Sequence, residues 1–168
     1  MKIAVMGYSG SGKSTLAKQL ARHYGIPLLY LDTVNFSENW QLRDREACKR
    51  MVAEFMQNES WVIDGNYGEF YQQERLSQAD RIIILCFNRF VCMKQAFRRH
   101  VEYKGRVRES ISKGCVEKID PEFFLWLVYK QYSKARKEKF ASIKAKYPDK
   151  TYLFRSRKEL NRFLKTLR

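Results

Sequence analysis

The chain has 168 residues, 45% of them hydrophobic, and a formal net charge of +15 at pH 7. That is the size of a single domain with enough apolar content to bury a core without disulfide or metal staples, and it contains no run long enough to cross a bilayer. The four cysteines (Cys48, Cys86, Cys92 and Cys115) form no C-x-x-C pair and show no zinc-site spacing with His23 or His100, so they predict reduced thiols and a cytoplasmic protein. The chain runs directly into an apolar segment, which predicts no signal peptide.

The charge is unevenly spread. Residues 1–87 carry ten basic and ten acidic side chains, whereas residues 88–168 carry 23 basic and 8 acidic ones. An excess confined to one half predicts a polyanionic partner, either the phosphates of an active site or a nucleic-acid backbone.

In chain order, Ile3 to Met6 form a short apolar run of strand length. Next comes Gly7-Tyr8-Ser9-Gly10-Ser11-Gly12-Lys13-Ser14-Thr15, which fills the pattern G-x-x-x-x-G-K-[ST]. Leu16, Ala17, Leu20, Ala21 and Tyr24 then recur at helical spacing. Strand, glycine-rich turn and helix are the context in which this motif cradles phosphates: backbone N–H groups turn inward around the anion and the helix dipole points at it. Gly7, Ser9, Gly10, Ser11, Gly12, Lys13, Ser14 and Thr15 are therefore the predicted nucleotide-binding residues. Lys13 is expected on the β- and γ-phosphates, and the Ser14 hydroxyl on Mg²⁺.

Gly25 and Pro27 end the first helix. Leu28 to Asp32 reads as a second strand, with Asp32 at the end where ligands gather in parallel sheets. It is a site candidate, against the plainer reading of a loop cap. A helix follows with Ala47, Cys48, Met51, Val52, Phe55 and Met56 on its apolar face. Trp40 and Arg43 stand before it, suited either to holding a substrate or to packing and surface charge. Trp61-Val62-Ile63-Asp64 is a third strand, and Asp64 is the predicted partner of Ser14 at the metal, the alternative being a turn residue with Gly65. Asn66 and Tyr67 are expected to face the acceptor.

A short helix is predicted over 71–79, a buried strand over Arg81–Phe87, and a helix from Arg89 that carries Arg98, Arg99 and His100 near its end, the histidine as a packed residue. Residues 103–119 read as a basic segment hinged at Gly105 and Gly114 and carrying Arg106 and Arg108. Asp120-Pro121 should then open one long helix that runs until Pro148. Thr151–Phe154 forms the last strand, and Leu160, Phe163, Leu164 and Leu167 mark a closing amphipathic helix.

Five apolar strands alternating with helices predict an α/β parallel sheet covered on both faces. With the phosphate loop after the first strand, the chain resembles the P-loop kinases of the adenylate and shikimate kinase type. The resemblance implies one P-loop domain over residues 1–168 with strand order 2-3-1-4-5, an acceptor-binding region near 33–60 and a lid near 103–120. The phosphate loop, Leu31-Asp32, Trp40, the run Trp61-Val62-Ile63-Asp64-Gly65-Asn66-Tyr67 and the ending Phe154-Arg155-Ser156-Arg157 are similar to the FlaR-related DNA topology modulation proteins. Where adenylate kinases carry Asp-Gly-x-Pro-Arg, this chain has Asp64-Gly65-Asn66-Tyr67-Gly68, a departure that weighs against a nucleoside monophosphate acceptor.

These observations lead to the expectation of an ATP-binding, Mg²⁺-dependent phosphotransferase acting on a small-molecule acceptor. Lys13 and the loop amides would hold the phosphates, Ser14 and Asp64 the metal, and Asp32 would orient or deprotonate the acceptor. Arg98, Arg99, Arg106 and Arg108 are candidates to close over the transferring group, with Arg98 and Arg106 taken as catalytic. By resemblance, Arg155 would lie near the nucleotide base. The alternative is a nucleic-acid-binding protein that uses ATP as a switch, with Trp126, Tyr129, Tyr132 and Tyr147 set among lysines. Helical spacing explains those aromatics by core packing, so only weak nonspecific nucleic-acid binding is expected.

Overall fold

The structure is a computed structural model that describes residues 1–103, 109–115 and 121–167. Five parallel strands, β1 (Lys2–Gly7), β2 (Leu28–Tyr30), β3 (Trp61–Asp64), β4 (Arg81–Leu85) and β5 (Thr151–Phe154), form one sheet in the order β2-β3-β1-β4-β5. Between and after them run α1 (Lys13–Tyr24), α2 (Leu31–Asn35), α3 (Arg45–Phe55), α4 (Gln72–Gln78), α5 (Arg89–Glu102), α6 (Pro121–Val128), α7 (Lys134–Lys146) and α8 (Arg157–Lys165). The sheet order is the one the family resemblance implies.

The central strand explains the architecture. Successive side chains of a strand point to opposite faces, and Ile3, Ala4, Val5 and Met6 are all completely buried. Both faces of β1 are therefore covered, which a continuous apolar run in a parallel sheet requires. Its register sets Val5 beside Asp64 on β3 and Gly7 beside Leu85 on β4. The carboxyl ends of these strands thus converge on the phosphate loop.

Two elements differ from the sequence reading. β2 stops at Tyr30, and Asp32 lies in the first turn of α2 instead of at a strand end. β2 is an edge strand whose last pair is Tyr30 with Asp64, and Thr33 Oγ1 turns back to donate to the Tyr30 carbonyl at 2.7 Å. The predicted single helix from Asp120 to Tyr147 is broken into α6, a 3-10 turn at Lys130–Tyr132 and α7. Ser133 restarts the helix by accepting the Arg136 N–H on its hydroxyl. The break turns Gln131 inward to complete burial. Asp120, Lys104, Gly105, Arg106 and Arg108 lie outside the described residues.

Candidate active site

β1 delivers Gly7 into a space with no room for a side chain. A Cβ there would stand 2.2 Å from the Leu85 carbonyl oxygen, and one at Gly10 would stand 2.3 Å from that of Cys92; the two residues have φ of +135° and +77°. Glycine alone combines that backbone with that approach. Behind the loop, the Tyr8 ring is buried against Tyr132 and Phe140, with centroids 4.2 and 5.6 Å away. In front, Lys13 Nζ and Ser11 Oγ both donate to the Tyr8 carbonyl, at 3.0 and 2.6 Å.

Two side-chain amides grip this loop. Asn66 accepts the Gly7 N–H on Oδ1 at 3.0 Å and donates from Nδ2 to the Gly7 carbonyl at 2.7 Å. Gln131 accepts the Ser9 N–H on Oε1 at 2.7 Å and donates from Nε2 to the Ser9 carbonyl at 3.4 Å and to Leu127 O at 2.6 Å. Each amide brackets one residue by both its backbone groups, so β1's end is tied to the loop after β3 and to the helices that follow the lid region. The hydrogen bonds of the Asn66 side-chain amide thus go to Gly7, a role the sequence reading did not give it.

Ser14 Oγ donates to Asp64 Oδ2 at 2.7 Å, and Asp64 is buried. The residues fit a magnesium ion. A hydroxyl and a carboxylate side by side are hard oxygen donors of the kind Mg²⁺ takes, one or two from protein and the rest from water and phosphate. Burial pushes the Lys13 ammonium below its ordinary pKa; Asp64 and Asp32 oppose the shift and Arg99 adds to it. Lys13 thus lies in the field of both predicted carboxylates and of an arginine.

Asp32 reaches this group from α2, where its Oδ1 accepts the Tyr67 hydroxyl at 2.8 Å. Burial, with Asp32 beside it, pushes the Tyr67 phenol well above its ordinary pKa. Tyr67 therefore remains a donor that fixes the carboxylate's direction. Its ring stacks on Phe70 at 5.2 Å, and its carbonyl accepts from the fully buried Arg75 at 2.6 Å. Tyr67 closes the run Trp61–Tyr67 that the sequence reading singled out, whereas Arg75 carries no motif signature.

The remaining candidates divide by helix phase. Arg98 is exposed on α5, while its half-buried neighbour Arg99 is the one whose charge acts on Lys13. Arg155 is exposed at the end of β5, where its backbone N–H donates to Glu159 at 2.8 Å. Arg157 comes nearer the phosphate loop: a Cβ at Gly12 would lie 3.2 Å from its Nη2, which donates to Gln95 Oε1 at 2.6 Å. Arg43 donates to the Val34 carbonyl at 3.0 Å and Trp40 packs edge-on against Phe36, so both serve the scaffold of residues 33–45. Of the aromatics among the lysines, Tyr132 donates to the Phe87 carbonyl at 3.1 Å, Tyr147 packs on the core, and Trp126 lies under the Arg136 guanidinium.

Residues 109–115 of the lid region rest on that scaffold. Ser112 Oγ donates to the carbonyls of Phe36 and Thr33, Cys115 Sγ donates to the Ser37 carbonyl at 3.3 Å and accepts the Trp40 N–H at 3.1 Å, and Glu109 pairs with Lys18 of α1. Residues 33–40 and 109–115 thus meet around α1 and α2. Among the described residues no helix is long and apolar enough to cross a membrane.

No family profile matches the chain. In sequence it is similar to cytidylate kinase 2 of Borrelia garinii subsp. bavariensis, 34% identical over 77 residues, which are 46% of this chain and 39% of that protein. The chain thus spans about two fifths of the length of the curated relative it matches. In structure it is similar to shikimate kinase from Bacteroides thetaiotaomicron, with a TM-score of 0.55 and 21% identity over 99% of this chain and 95% of that one. It is also similar to the deoxyadenosine kinase from M. mycoides with products dCMP and a flexible dCDP bound, at TM-score 0.54 and 15% identity, covering 99% and 98% of the two chains. At these identities the likeness is one of fold: this chain is built on the five-stranded parallel sheet and phosphate loop of the P-loop kinases.

Proposed function

We propose that the protein is an ATP-dependent phosphotransferase that requires Mg²⁺ and transfers a phosphoryl group to a hydroxyl or phosphate oxygen of a small molecule. The observation that carries this reading is the convergence on one loop of a half-buried lysine, a serine–aspartate pair 2.7 Å apart and a second carboxylate aimed by a tyrosine. A loop built only to bind nucleotide has no use for Asp32 and Tyr67. The partial sequence match to a cytidylate kinase supports the same class.

In this reading the loop amides and Lys13 hold the β- and γ-phosphates of ATP and oppose the charge that develops as the terminal group departs. Asp64 and Ser14 would hold the metal, which when bound supplies further positive charge to the phosphate oxygens. Asp32 accepts the proton of the acceptor hydroxyl as its oxygen bonds to phosphorus, and ADP leaves with the electron pair of the broken bond. Tyr67 keeps Asp32 pointed at that hydroxyl. Arg99 supplies positive charge beside Lys13. Four unpaired thiols support a reducing compartment as the place of work.

The test is acceptor-dependent ADP release across nucleosides, nucleotides, sugars and small acids, with Lys13→Ala as control. An acceptor that stimulates ADP release only in the unsubstituted chain is the expected result. ATP turnover that survives Lys13→Ala in a natively folded chain would end the proposal.

A further inference from the structure

Beside the phosphate loop lies a cavity of about 260 Å³, lined by Asn66, Ser133, Ala135, Arg136, Lys139 and Phe140. Its chemistry is one-sided. Arg136 and Lys139 stand three residues apart on α7, so they share a face of the helix, and both are half-buried. Neither forms an ion pair with an acid among the described residues. A methyl group at Gly68 would stand 3.7 Å from the Lys139 Nζ, so this ammonium reaches the loop that follows Asp64. Under the same loop Arg75 is completely buried; two of its nitrogens donate to the carbonyls of Phe70 and Tyr67, while Nη1 has no partner.

Two cations line the cavity and a third, Arg75, is buried under the neighbouring loop; like charges repel, and partial burial strengthens the repulsion by removing water. The lysine shows it. Burial, then Arg136 and Arg75, hold the Lys139 ammonium below its ordinary pKa, and no acid opposes them. The amino end of the thirteen-residue α7 adds its partial positive charge at Ser133. Glu74 offsets part of the Arg75 charge, but no acid among the described residues pairs with Arg136 or Lys139, and an anion in the cavity would complete them.

We propose that this cavity, between Asn66 to Gly68 and the first two turns of α7, binds a phosphate or carboxylate group carried by the acceptor. The proposal rests on the phosphotransferase reading above, and it narrows the acceptor to an anionic small molecule. Asn66 connects the two places: its side chain grips Gly7 of the phosphate loop while it walls the cavity, and the next residue, Tyr67, holds Asp32. An acid group held by Arg136 and Lys139 would therefore hold the rest of the acceptor beside the carboxylate that takes its proton.

The test separates this subsite from the nucleotide site. Inorganic phosphate is titrated by calorimetry into the chain saturated with Mg²⁺ and a nonhydrolysable ATP analogue, so that the phosphate loop is already filled. Unsubstituted protein should bind phosphate, and Lys139→Gln alone and Arg136→Gln with Lys139→Gln should weaken it stepwise, the pair by at least about tenfold, as loss of charge-assisted hydrogen bonds does. Circular dichroism checks the fold of both variants. No phosphate binding by the saturated chain, or binding indifferent to both substitutions, overturns the subsite. Binding of the ATP analogue itself, with and without Lys13→Ala, reports on the phosphotransferase reading separately. Among acceptors that release ADP, those bearing an acid group should show a raised KM in the paired variant; a neutral acceptor used equally well by both proteins overturns the assignment to the acceptor. Loss of duplex-DNA affinity in the paired variant, with phosphate binding unchanged, overturns it in favour of a nucleic-acid face.

Discussion

The two sides of the candidate site are fastened differently. On the proposed nucleotide side, side chains hold the loop itself: the half-buried Asn66 brackets the backbone of Gly7, the buried Gln131 brackets that of Ser9, and the buried Asp64 accepts the Ser14 hydroxyl. On the proposed acceptor side, residues 109–115 meet residues 33–40 through the side chains of Ser112 and Cys115 and one backbone bond, from the Asn39 N–H to the Lys113 carbonyl at 3.3 Å, and meet α1 through one solvent-exposed ion pair. The first arrangement suits a group that must not move while charge develops, since misplacement of about 1 Å costs orders of magnitude in rate. The second suits a contact that must be broken to admit a substrate. Segments that open are drawn from the weakly held parts of a structure.

The largest expected effect comes from the rigid side. Lys13→Met should lower turnover by about a thousandfold, the range seen when one preorganised charge is removed from a transition state. The same change should stabilise the ligand-free fold, because burial holds the Lys13 ammonium below its ordinary pKa of 10.5. The sign follows from proton counting. Between the folded and unfolded pKa values of Lys13 the unfolded chain binds more protons, so stability climbs as pH rises through that window and levels off above the unfolded value. Lys139 and Arg75 are shifted the same way, so Lys13→Met should shrink the climb without erasing it. Thermal melts between pH 7 and the alkaline limit, run on both proteins, check this. An unchanged climb would mean that Lys13 is not buried in the free protein.

The two carboxylates sharpen the comparison, because one faces the loop and the other the acceptor. Asp32→Asn should reduce phosphoryl transfer by about a hundredfold, as loss of a general base does, and leave Mg²⁺-dependent ATP binding intact. Asp64→Asn should weaken that metal dependence, measured by calorimetry at several Mg²⁺ concentrations. Equal effects of both substitutions would remove the distinction between the two sides.

A smaller effect is expected where the loop is bracketed. Asn66→Ala leaves the Gly7 N–H and carbonyl without their partner, at a cost of roughly 1–3 kcal/mol, which is a fall of several degrees in the thermal midpoint for a chain of this length. Gln131→Ala should cost about 1 kcal/mol, since one of its two bonds to Ser9 is long. If neither variant lowers the midpoint, the brackets are incidental.

These residues also mark how far the sequence could be read. The place of the loop Gly7 to Thr15 after β1, the approach of Asp64 to Ser14 and the five strands were legible because fixed spacing and continuous apolar runs are local signals. The roles of Asn66 and Gln131 were not, since an amide's partner is set by the tertiary contact of distant segments, and Gln131 reaches its partner only because the helix breaks at Tyr129. Asp32 was placed near the site for an inexact reason, as a strand-end residue, although a short edge strand and an early helix turn put it there. The choice between Arg98 and Arg99 depends on helix phase at the level of one residue, or about 100° of rotation. Composition cannot supply that. Arg106 and Arg108 lie outside the described residues, so their assignment stays an expectation.

The smallest effect belongs to the weakly held side, and its smallness is the point. Lys18 and Glu109 pair between α1 and the lid region with side chains 34% and 63% exposed. An ion pair so open to water contributes about 0–1 kcal/mol and is screened by salt. Glu109→Gln should therefore leave the thermal midpoint within a degree or so of the original. It should nevertheless change how residues 109–115 behave, because they would then be held by the Ser112 and Cys115 side chains and the Asn39–Lys113 backbone bond without their tie to α1. Hydrogen exchange over residues 109–115, compared at low and high salt, reads this directly. Faster exchange in Glu109→Gln at low salt, matched by the unsubstituted chain at high salt, is the expected outcome. If exchange is unaffected by the substitution and by salt, this side is held as firmly as the phosphate loop, and the contrast between the two sides is lost.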